Sequence, residues 1–226
     1  GRGVEIDRLI ALARPSRSGA GGGSGPGPPP LGQRIAVARD VAFAFVYEAT
    51  LTRWRGDGAE ISFFSPLADE PPTADADAIY LPGGYPELHT GRLAVARRFR
   101  AAMRAAAATG KAIYGECGGY MVLGETLVDA DRRPHRMLGL LPLRTSFAKR
   151  QRHLGYRDVT LVDSGPLGRA GTRFRGHEFH YATILQEGDA CPLFATRDVI
   201  ERELGNAGLR RGRVAGSFIH LIDLAC

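Results

Sequence analysis

The chain has 226 residues, of which 44% are hydrophobic and 24% are charged, a composition typical of a globular protein. Its net charge of +6 comes mostly from arginines interspersed with acidic residues, which indicates solvated helix faces and argues against nucleic acid as a partner. No apolar run approaches the roughly 18 residues of a membrane-spanning helix and no signal-peptide pattern opens the sequence, so we expect no membrane contact.

Cysteine usage indicates a reducing compartment. Three cysteines are present, Cys117, Cys191 and Cys226, an odd number at wide spacing. This pattern is neither a disulfide framework nor the ligand spacing of a zinc site. We therefore expect a cytoplasmic protein without a bound metal.

The start of the chain predicts a short helix and a linker. Within residues 1–13, Asp7 precedes several apolar side chains, a pattern that predicts a helix capped by Asp7. Residues 14–33 are rich in Gly, Ser and Pro and have too few apolar side chains to pack a core, which is typical of a linker. We expect residues 1–13 to be the tail of a preceding domain and residues 34–226 to form the main domain.

Short apolar segments alternate with helical patterns from residue 34 onward. This alternation, with short connections, predicts an α/β fold whose mostly parallel sheet is covered by helices on both faces. Gly110 follows the longest helical pattern and predicts a left-handed cap at its end. Beyond about residue 135 the strand patterns are typical of a more antiparallel region. The predicted strands are 34–38, 59–65, 77–84 and 111–117, and the predicted helices are 44–57 and 92–109.

The fourth predicted strand ends in Gly115-Glu116-Cys117-Gly118-Gly119, which has the spacing of a nucleophile elbow. The flanking glycines let the chain reverse sharply, and ligands of α/β proteins bind at this edge of the sheet. Backbone amides at the start of the following helix can stabilise a thiolate and hold an oxyanion. The pattern favours Cys117 as a nucleophile over the alternative, a buried structural cysteine.

A nucleophilic thiol needs a partner for proton transfer, and the chain has six histidines. His220 ends the apolar run 215–220, so we expect it at a strand end, where a catalytic base belongs. His177 and His180 would face opposite sides of their predicted strand, which argues against a zinc site.

Four segments together resemble a known family. They are LPGGYPELH (81–89), YGECGGYMVLGE (114–125), RGHEFHY (175–181) and GSFIH (216–220). In this order and spacing they are similar to the glutaminase domain of class I glutamine amidotransferases, and more narrowly to that of the cobyrinic and hydrogenobyrinic acid a,c-diamide synthases. The resemblance covers roughly residues 34–223 and implies the flavodoxin-like fold of that class. It also implies a preceding ATP-dependent synthetase domain, of which residues 1–13 would be the tail.

The resemblance implies roles for individual residues. Cys117 would attack the side-chain amide of glutamine, and His220 would protonate the departing ammonia. The turn at Gly83 and Gly84, together with Gly118, would bind glutamine and hold the oxyanion through the amides of Gly84 and Gly118. The ammonia would then amidate the a- and c-carboxylates of a corrinoid in cobalamin biosynthesis. That step would use ATP and Mg²⁺ in the synthetase domain, with no cofactor in this chain.

One departure from the family pattern and several alternatives stay open. Many class I members carry an acid two residues after the catalytic histidine, but this chain has Ile222 there. The resemblance therefore implies a Cys–His dyad, with Asp223 as an alternative residue to orient His220. The same glutaminase chemistry could serve cobyric acid synthase or a cell-wall precursor amidotransferase, or the chain could be a non-catalytic remnant. A homodimer of the full-length protein is also left open.

Overall fold

The computed structural model describes residues 5–12 and 27–225. Helix α1 (Ile6–Leu12) confirms the helical prediction for the described part of residues 1–13. Asp7 lies inside the first turn of α1 rather than ahead of it, so it is not the cap that the sequence predicted. The rest of that predicted helix and residues 14–26 of the predicted linker lie outside the described residues.

The main part of the chain folds as one large sheet, one small sheet and helices packed against them. Two short 3₁₀ turns, Pro66–Ala68 and Pro86–Leu88, lie in the connections. The first elements are β1 (Arg34–Ala38), α2 (Glu48–Gly56), β2 (Glu60–Phe64), β3 (Ala78–Leu81), α3 (Thr90–Val95), α4 (Arg97–Ala108), β4 (Ala112–Glu116) and α5 (Gly118–Leu123). They continue with β5 (Thr126–Val128), β6 (Pro134–Arg136), β7 (Leu143–Ser146), β8 (His153–Leu161), β9 (Arg173–His180), β10 (Thr183–Glu187), β11 (Cys191–Arg197), β12 (Glu203–Arg211), β13 (Val214–Ser217) and β14 (Ile219–Leu224).

The large sheet has a parallel half and an antiparallel half. Strands β2, β1, β3, β4 and β13 lie side by side in that order, and all four of these pairings are parallel. This is the strand order of flavodoxin-like folds, which confirms the predicted α/β architecture. The series continues with β12, β11, β8, β9 and β14 through antiparallel pairings, as expected for the region beyond about residue 135. A second sheet has the order β10, β7, β5, β6.

The antiparallel half of the large sheet curls back on itself. Strands β13 and β14 are separated by Phe218 alone, yet β13 pairs with β4 and β12 whereas β14 pairs with β9 at the far edge. A flat sheet cannot place consecutive strands so far apart, so the intervening strands must turn through a roll. Because β14 begins one residue after β13, its start lies beside the carboxyl end of β4, and the roll brings β9 back to this point.

Helices cover both faces of the parallel half. Alternate residues of β1 enter two different hydrophobic clusters, because successive side chains of a strand point to opposite faces. Leu51 and Trp54 of α2 are buried on one face, and Phe99 and Met103 of α4 are buried on the other. Each face of the sheet therefore has an apolar cover, as predicted.

The end of the predicted linker packs against α2. Trp54 donates its indole N–H to the carbonyl of Pro28 at 2.9 Å, and Leu31 is buried in the same cluster. The described residues 27–33 thus belong to the packed surface of the domain, although their composition is typical of a linker.

The longest predicted helix is two helices. Residues 92–109 were expected to form one helix, but the chain breaks at Ala96, whose backbone angles are φ −69° and ψ 84°. The carboxylate of Asp69 accepts the backbone N–H of Phe99 at 2.9 Å and so caps the first turn of α4 from a distant segment. This contact is tertiary, which explains why helix propensity alone missed the break. The predicted left-handed cap at Gly110 is present, with φ 75°.

Among the described residues, no helix combines the length and apolar character needed to cross a bilayer.

Close packing of α5 on β3 predicts a stability effect at Gly119. A methyl group added there would overlap the carbonyl oxygen of Leu81, a backbone atom that cannot move aside. We expect Gly119→Ala to lower the free energy of unfolding by about 2 kcal/mol or more, as measured by urea denaturation. The matched control is Gly91→Ala in α3, where an added methyl group meets nothing within 4 Å. The control should be neutral or stabilising, and equal effects of the two substitutions would contradict the prediction.

Candidate active site

Three strand ends converge at one edge of the parallel half. Strand β3 leads into the turn at Gly83 and Gly84, β4 leads into Cys117, and β13 ends at Ser217. The backbone N–H of Cys117 donates to the carbonyl of Ser217 at 2.8 Å, and that of Gly119 donates to the carbonyl of Pro82 at 3.1 Å. These hydrogen bonds join the strand ends around Cys117. They lie at the carboxyl edge of the sheet, where ligands bind in this class of fold.

Cys117 lies at the apex of a sharp turn between β4 and α5. Its backbone angles are φ 49° and ψ −102°, a conformation that costs a non-glycine residue about 1–3 kcal/mol. Gly115 and Gly119 flank it at positions where an added methyl group would collide with neighbouring atoms. The predicted strand–turn–helix is thus present, and the side chain is 4% exposed.

His220 is the second residue of β14 and lies beside Cys117, because β14 continues directly from β13, the neighbour of β4. It is 2% exposed, and its Nδ1 lies 3.0 Å from the Oε1 atom of Glu116, itself a buried residue. Burial by itself would lower the pKa of His220. Hydrogen bonds to Cys117 and Glu116 and the charges of those two groups outweigh burial and raise this pKa to about 10. The structure therefore brings together the predicted thiol and histidine, with the ring protonated at neutral pH.

A second histidine faces the same site. The ring of His177 stacks on that of His220, with centroids 4.8 Å apart and planes 5° from parallel. Its Nε2 lies 3.0 Å from the hydroxyl of Tyr47. Burial first, and then the charge of His220, lower the pKa of His177. His180 points the other way and stacks on Phe218 at 3.8 Å, which confirms that the two histidines of this strand face opposite sides.

Sequence reasoning missed Glu116, His177 and Tyr47 as residues of this site. Burial first, and then the charges of Glu116 and Cys117, raise the pKa of Tyr47 to about 12, so its hydroxyl keeps its proton. For Glu116 a signal was available, since an acidic side chain inside an otherwise apolar strand needs a buried partner. For Tyr47 and His177 no local pattern pointed to the site, because their contacts depend on the roll.

The structure does not pair Asp223 with His220. The partner of His220 is Glu116, so the expectation that Asp223 orients the ring is corrected. A β-bulge between Leu221 and Asp223 shifts the register of β14 against β9. Asp223 lines a separate cavity with Tyr156, and among the described residues its Oδ1 has no hydrogen-bond partner.

The three glycines predicted to bind glutamine lie against the thiol and the imidazole. A methyl group on Gly83 would lie 2.7 Å from Cε1 of His220 and 3.4 Å from Cβ of Cys117. A methyl group on Gly118 would lie 3.0 Å from the backbone nitrogen of Gly84. The glycine turn after β3 and the start of α5 thus abut beside Cys117.

A second polar cluster lies on the opposite side of β9. Potential ligand atoms of His153, Glu178 and His180 lie within 4.8 Å of one another. However, Glu178 already accepts from His180 at 2.9 Å and from Arg157 at 2.7 Å, and the other nitrogen of His180 donates to the carbonyl of Ala182 at 3.0 Å. The hydrogen bond from His180 and the charge of Arg157 outweigh burial and lower the pKa of Glu178 to about 2. We interpret the cluster as a hydrogen-bond network that holds β9 in place.

Comparison with known proteins assigns the family. The model of the CobB/CobQ-like glutamine amidotransferase domain matches residues 34–225. The chain belongs to this family. Its matched region includes every residue of the site described above.

Curated relatives within this CobB/CobQ-like family are similar over most of the chain. The chain is 65% identical over 200 residues to the hydrogenobyrinate a,c-diamide synthase of Sinorhizobium sp., covering 87% of this chain and 44% of the relative. It is 59% identical over 227 residues to the protein of the same name from Rhizobium meliloti (strain 1021), covering 99% of this chain and 51% of the relative. The chain thus spans about half the length of the curated relatives it matches.

Solved structures support the fold of this CobB/CobQ-like domain. The structure of PurLQS from Thermotoga maritima matches with a TM-score of 0.59 at 21% identity, covering 83% of this chain and 86% of that one. A glutamine amidotransferase (tm1158) from Thermotoga maritima matches with a TM-score of 0.53 at 16% identity, covering 83% of this chain and 75% of that one. At these identities the likeness concerns the fold alone.

The contact between Gly83 and His220 predicts that Gly83→Ala damages the site without unfolding the domain. The added methyl group would push the imidazole away from the sulfur, and a thiolate without its cation is less stable. We expect alkylation of Cys117 by iodoacetamide at pH 7 to slow by about tenfold or more. Peptide mass spectrometry would separate Cys117 from the exposed Cys191. Gly91→Ala is the control, and an unchanged rate in Gly83→Ala would show that His220 does not support the thiolate.

Proposed function

We propose that this domain hydrolyses glutamine to glutamate and ammonia. The observation that carries the proposal is the buried pair of Cys117, on a strained elbow, and His220, whose pKa is raised to about 10. A thiol at such a turn is exposed to an incoming carbonyl from one side only, and a protonated imidazole beside it can stabilise the thiolate.

The proposed reaction has two stages. The Cys117 sulfur attacks the side-chain amide carbon of glutamine, and the amides of Gly84 and Gly118 hold the oxyanion that forms. His220 gives its proton to the nitrogen, ammonia leaves and a glutamyl thioester remains on Cys117. Water then adds to the thioester with His220 as base, and glutamate leaves as the thiol is restored.

A cavity beside the glycine turn suits glutamine. It has a volume of about 700 Å³ and is lined by residues that include Tyr85, Glu87 and Arg150. Burial raises the pKa of Glu87, partly offset by a backbone hydrogen bond and by Arg150, and its Oε2 atom has no hydrogen-bond partner among the described residues. A carboxylate and a guanidinium at one wall match the ammonium and carboxylate of an amino acid. Tyr85 directly follows the proposed oxyanion turn, which places this cavity next to the turn, although Cys117 and His220 are not among its lining residues.

We further propose that the ammonia amidates the a- and c-carboxylates of hydrogenobyrinic or cobyrinic acid. Support comes from the names of the similar relatives, hydrogenobyrinate a,c-diamide synthases, of which the chain spans about half. ATP and Mg²⁺ would act in the other half, where the carboxylate is activated. Cobyric acid synthase and a cell-wall precursor amidotransferase are alternatives with the same glutaminase step. Because the nucleophile must stay reduced, a reducing compartment such as the cytoplasm suits the reaction.

A glutamine-analogue alkylator tests the glutaminase step. We expect diazo-oxo-norleucine to add once to the chain, at Cys117, because the pocket would present the reagent's electrophilic carbon to the sulfur. Intact-mass and peptide mass spectrometry measure the adduct. It should be blocked by excess glutamine, absent in Cys117→Ser and unchanged in Cys191→Ser. Absence of the adduct, with Cys117 still open to iodoacetamide, would favour a non-catalytic remnant.

The amide acceptor needs a separate test. We expect the chain, joined to the remaining half of the Rhizobium meliloti relative, to convert hydrogenobyrinic acid to a diamide with glutamine and ATP–Mg²⁺. Cys117→Ser should abolish this reaction with glutamine yet keep it with ammonium chloride, because only the ammonia supply is lost. Chromatography with mass detection counts the amides. Failure with both nitrogen sources, while a cobyric acid or cell-wall substrate is amidated, would assign the domain to one of the alternatives.

A further inference from the structure

Glu116 is a buried acid in direct contact with the catalytic histidine. It is the last residue of β4, is 3% exposed and immediately precedes Cys117. Its Oε1 atom lies 3.0 Å from Nδ1 of His220 and accepts a hydrogen bond from the hydroxyl group of Tyr80 at 3.1 Å. Its Oε2 atom accepts the backbone N–H of Leu221 at 3.1 Å. Both carboxylate oxygens therefore have fixed partners, and two of the three partners belong to the His220 segment.

We propose that Glu116 is the positioning residue of the Cys117–His220 pair, supplying from the nucleophile elbow the acid that is missing two residues after His220. This inference rests on the proposed glutaminase function for its kinetic consequences. Its structural content, that Glu116 sets the protonation and orientation of His220, can be tested without any activity.

The contact determines which nitrogen of His220 carries which proton. A carboxylate only accepts hydrogen bonds, so a proton on Nδ1 is what makes the 3.0 Å contact with Glu116 favourable. The remaining nitrogen, Nε2, is then the one available to Cys117, with which the imidazole also forms a hydrogen bond. A ring held in this way presents an acidic N–H to the sulfur and to the nitrogen of the leaving group.

The backbone contact of Glu116 locks the ring further. The N–H of Leu221 binds the same carboxylate as the side chain of His220, although Leu221 is 105 positions from Glu116 along the chain. Rotation of the imidazole would break one contact while the other still holds the strand. This double anchorage to the residue beside the nucleophile keeps the distance from ring to sulfur fixed.

The other titratable groups facing His220 do not replace this acid. The hydroxyl of Tyr47 lies 3.5 Å from Nδ1, and its raised pKa of about 12 keeps it neutral. His177 stacks on the ring, and its lowered pKa keeps it neutral as well. Cys117 is the partner of the ring in the pair and not an acid that could take the place of Glu116. Glu116 is therefore the acid that meets Nδ1 among the described residues.

Nitrogen-15 NMR of histidine side chains in this chain tests the proposal directly. Spectra that correlate ring protons with Nδ1 and Nε2 report which nitrogen is protonated, and His220→Gln assigns the His220 signals. In the parent chain we expect His220 to keep both protons through pH 8. In Glu116→Gln, which keeps the size but loses the charge, we expect the titration midpoint to fall by about one pH unit or more.

A matched control separates charge from packing. Tyr80→Phe removes one hydrogen bond from the same Oε1 atom but leaves the carboxylate, so the His220 midpoint should move by only a few tenths of a unit. Glu116→Asp keeps the charge, so the titration midpoint of His220 should recover part of the value that it has in the parent chain. If Glu116 were merely structural, Glu116→Gln would lower the melting temperature and leave the His220 titration unchanged, and the proposal would be wrong.

Kinetics give a second readout once the glutaminase reaction is established. Loss of the protonated imidazole should lower kcat of Glu116→Gln by about a hundredfold and leave KM nearly unchanged, because Glu116 does not touch glutamine. The alkaline limb of the pH–rate profile should move to lower pH. No diazo-oxo-norleucine adduct in the parent chain would refute the glutaminase function but leave the NMR test intact.

If Glu116→Gln fails to fold, the spectrum of the parent chain alone still tests the proposal. A His220 that titrates near its ordinary value of about 6.5, or whose Nδ1 carries no proton, would overturn the assignment of Glu116.

Discussion

The contact of His220 with both Cys117 and Glu116 is the interaction on which the site depends. A carboxylate as deeply buried as that of Glu116 is unfavourable unless a cation and hydrogen-bond donors meet it. His220, Tyr80 and the backbone of Leu221 meet that need together. The same ring then faces the sulfur as a protonated group. One buried ion pair thus stabilises the junction of β4 with β14 and prepares the thiol for chemistry.

The rolled antiparallel half of the sheet brings β9, with His177, against the strand that carries that ring. A parallel flavodoxin-like sheet by itself would supply the elbow at Cys117 and the glycine turn at Gly83, but its fifth strand ends at Ser217. After Phe218 the chain enters β14, and pairing of β14 with β9 places His220 and His177 together. On the other side of β9, the network of Glu178, His180 and Arg157 holds this strand. The two stacked histidines beside Cys117 are therefore held by the antiparallel half of the sheet.

Strain and close packing are concentrated where the chemistry would occur. Cys117 adopts a positive φ, and three turns meet so closely that glycine is required at Gly83, Gly84 and Gly119. Such positions lower stability, and the large apolar clusters on both faces of the parallel half offset them. The cover of α2, α4 and α5 therefore serves the site as well as the core, because it holds the elbow in a conformation that a free chain would avoid.

The sequence by itself determined the alternation of strands and helices, the elbow at Cys117 and the family resemblance, whereas His220, expected at the end of a strand, is the second residue of β14. These features depend on local spacing: apolar runs, glycines at fixed offsets and motifs of a few residues. Only the tertiary structure decided that Glu116, and not Asp223, meets His220, and that the helix predicted for residues 92–109 breaks at Ala96. The first depends on the pairing of β13 with β4 and on a bulge in β14, and the second on a cap from Asp69. Both contacts join residues far apart in the chain, and local propensity carries no information about which distant groups will meet.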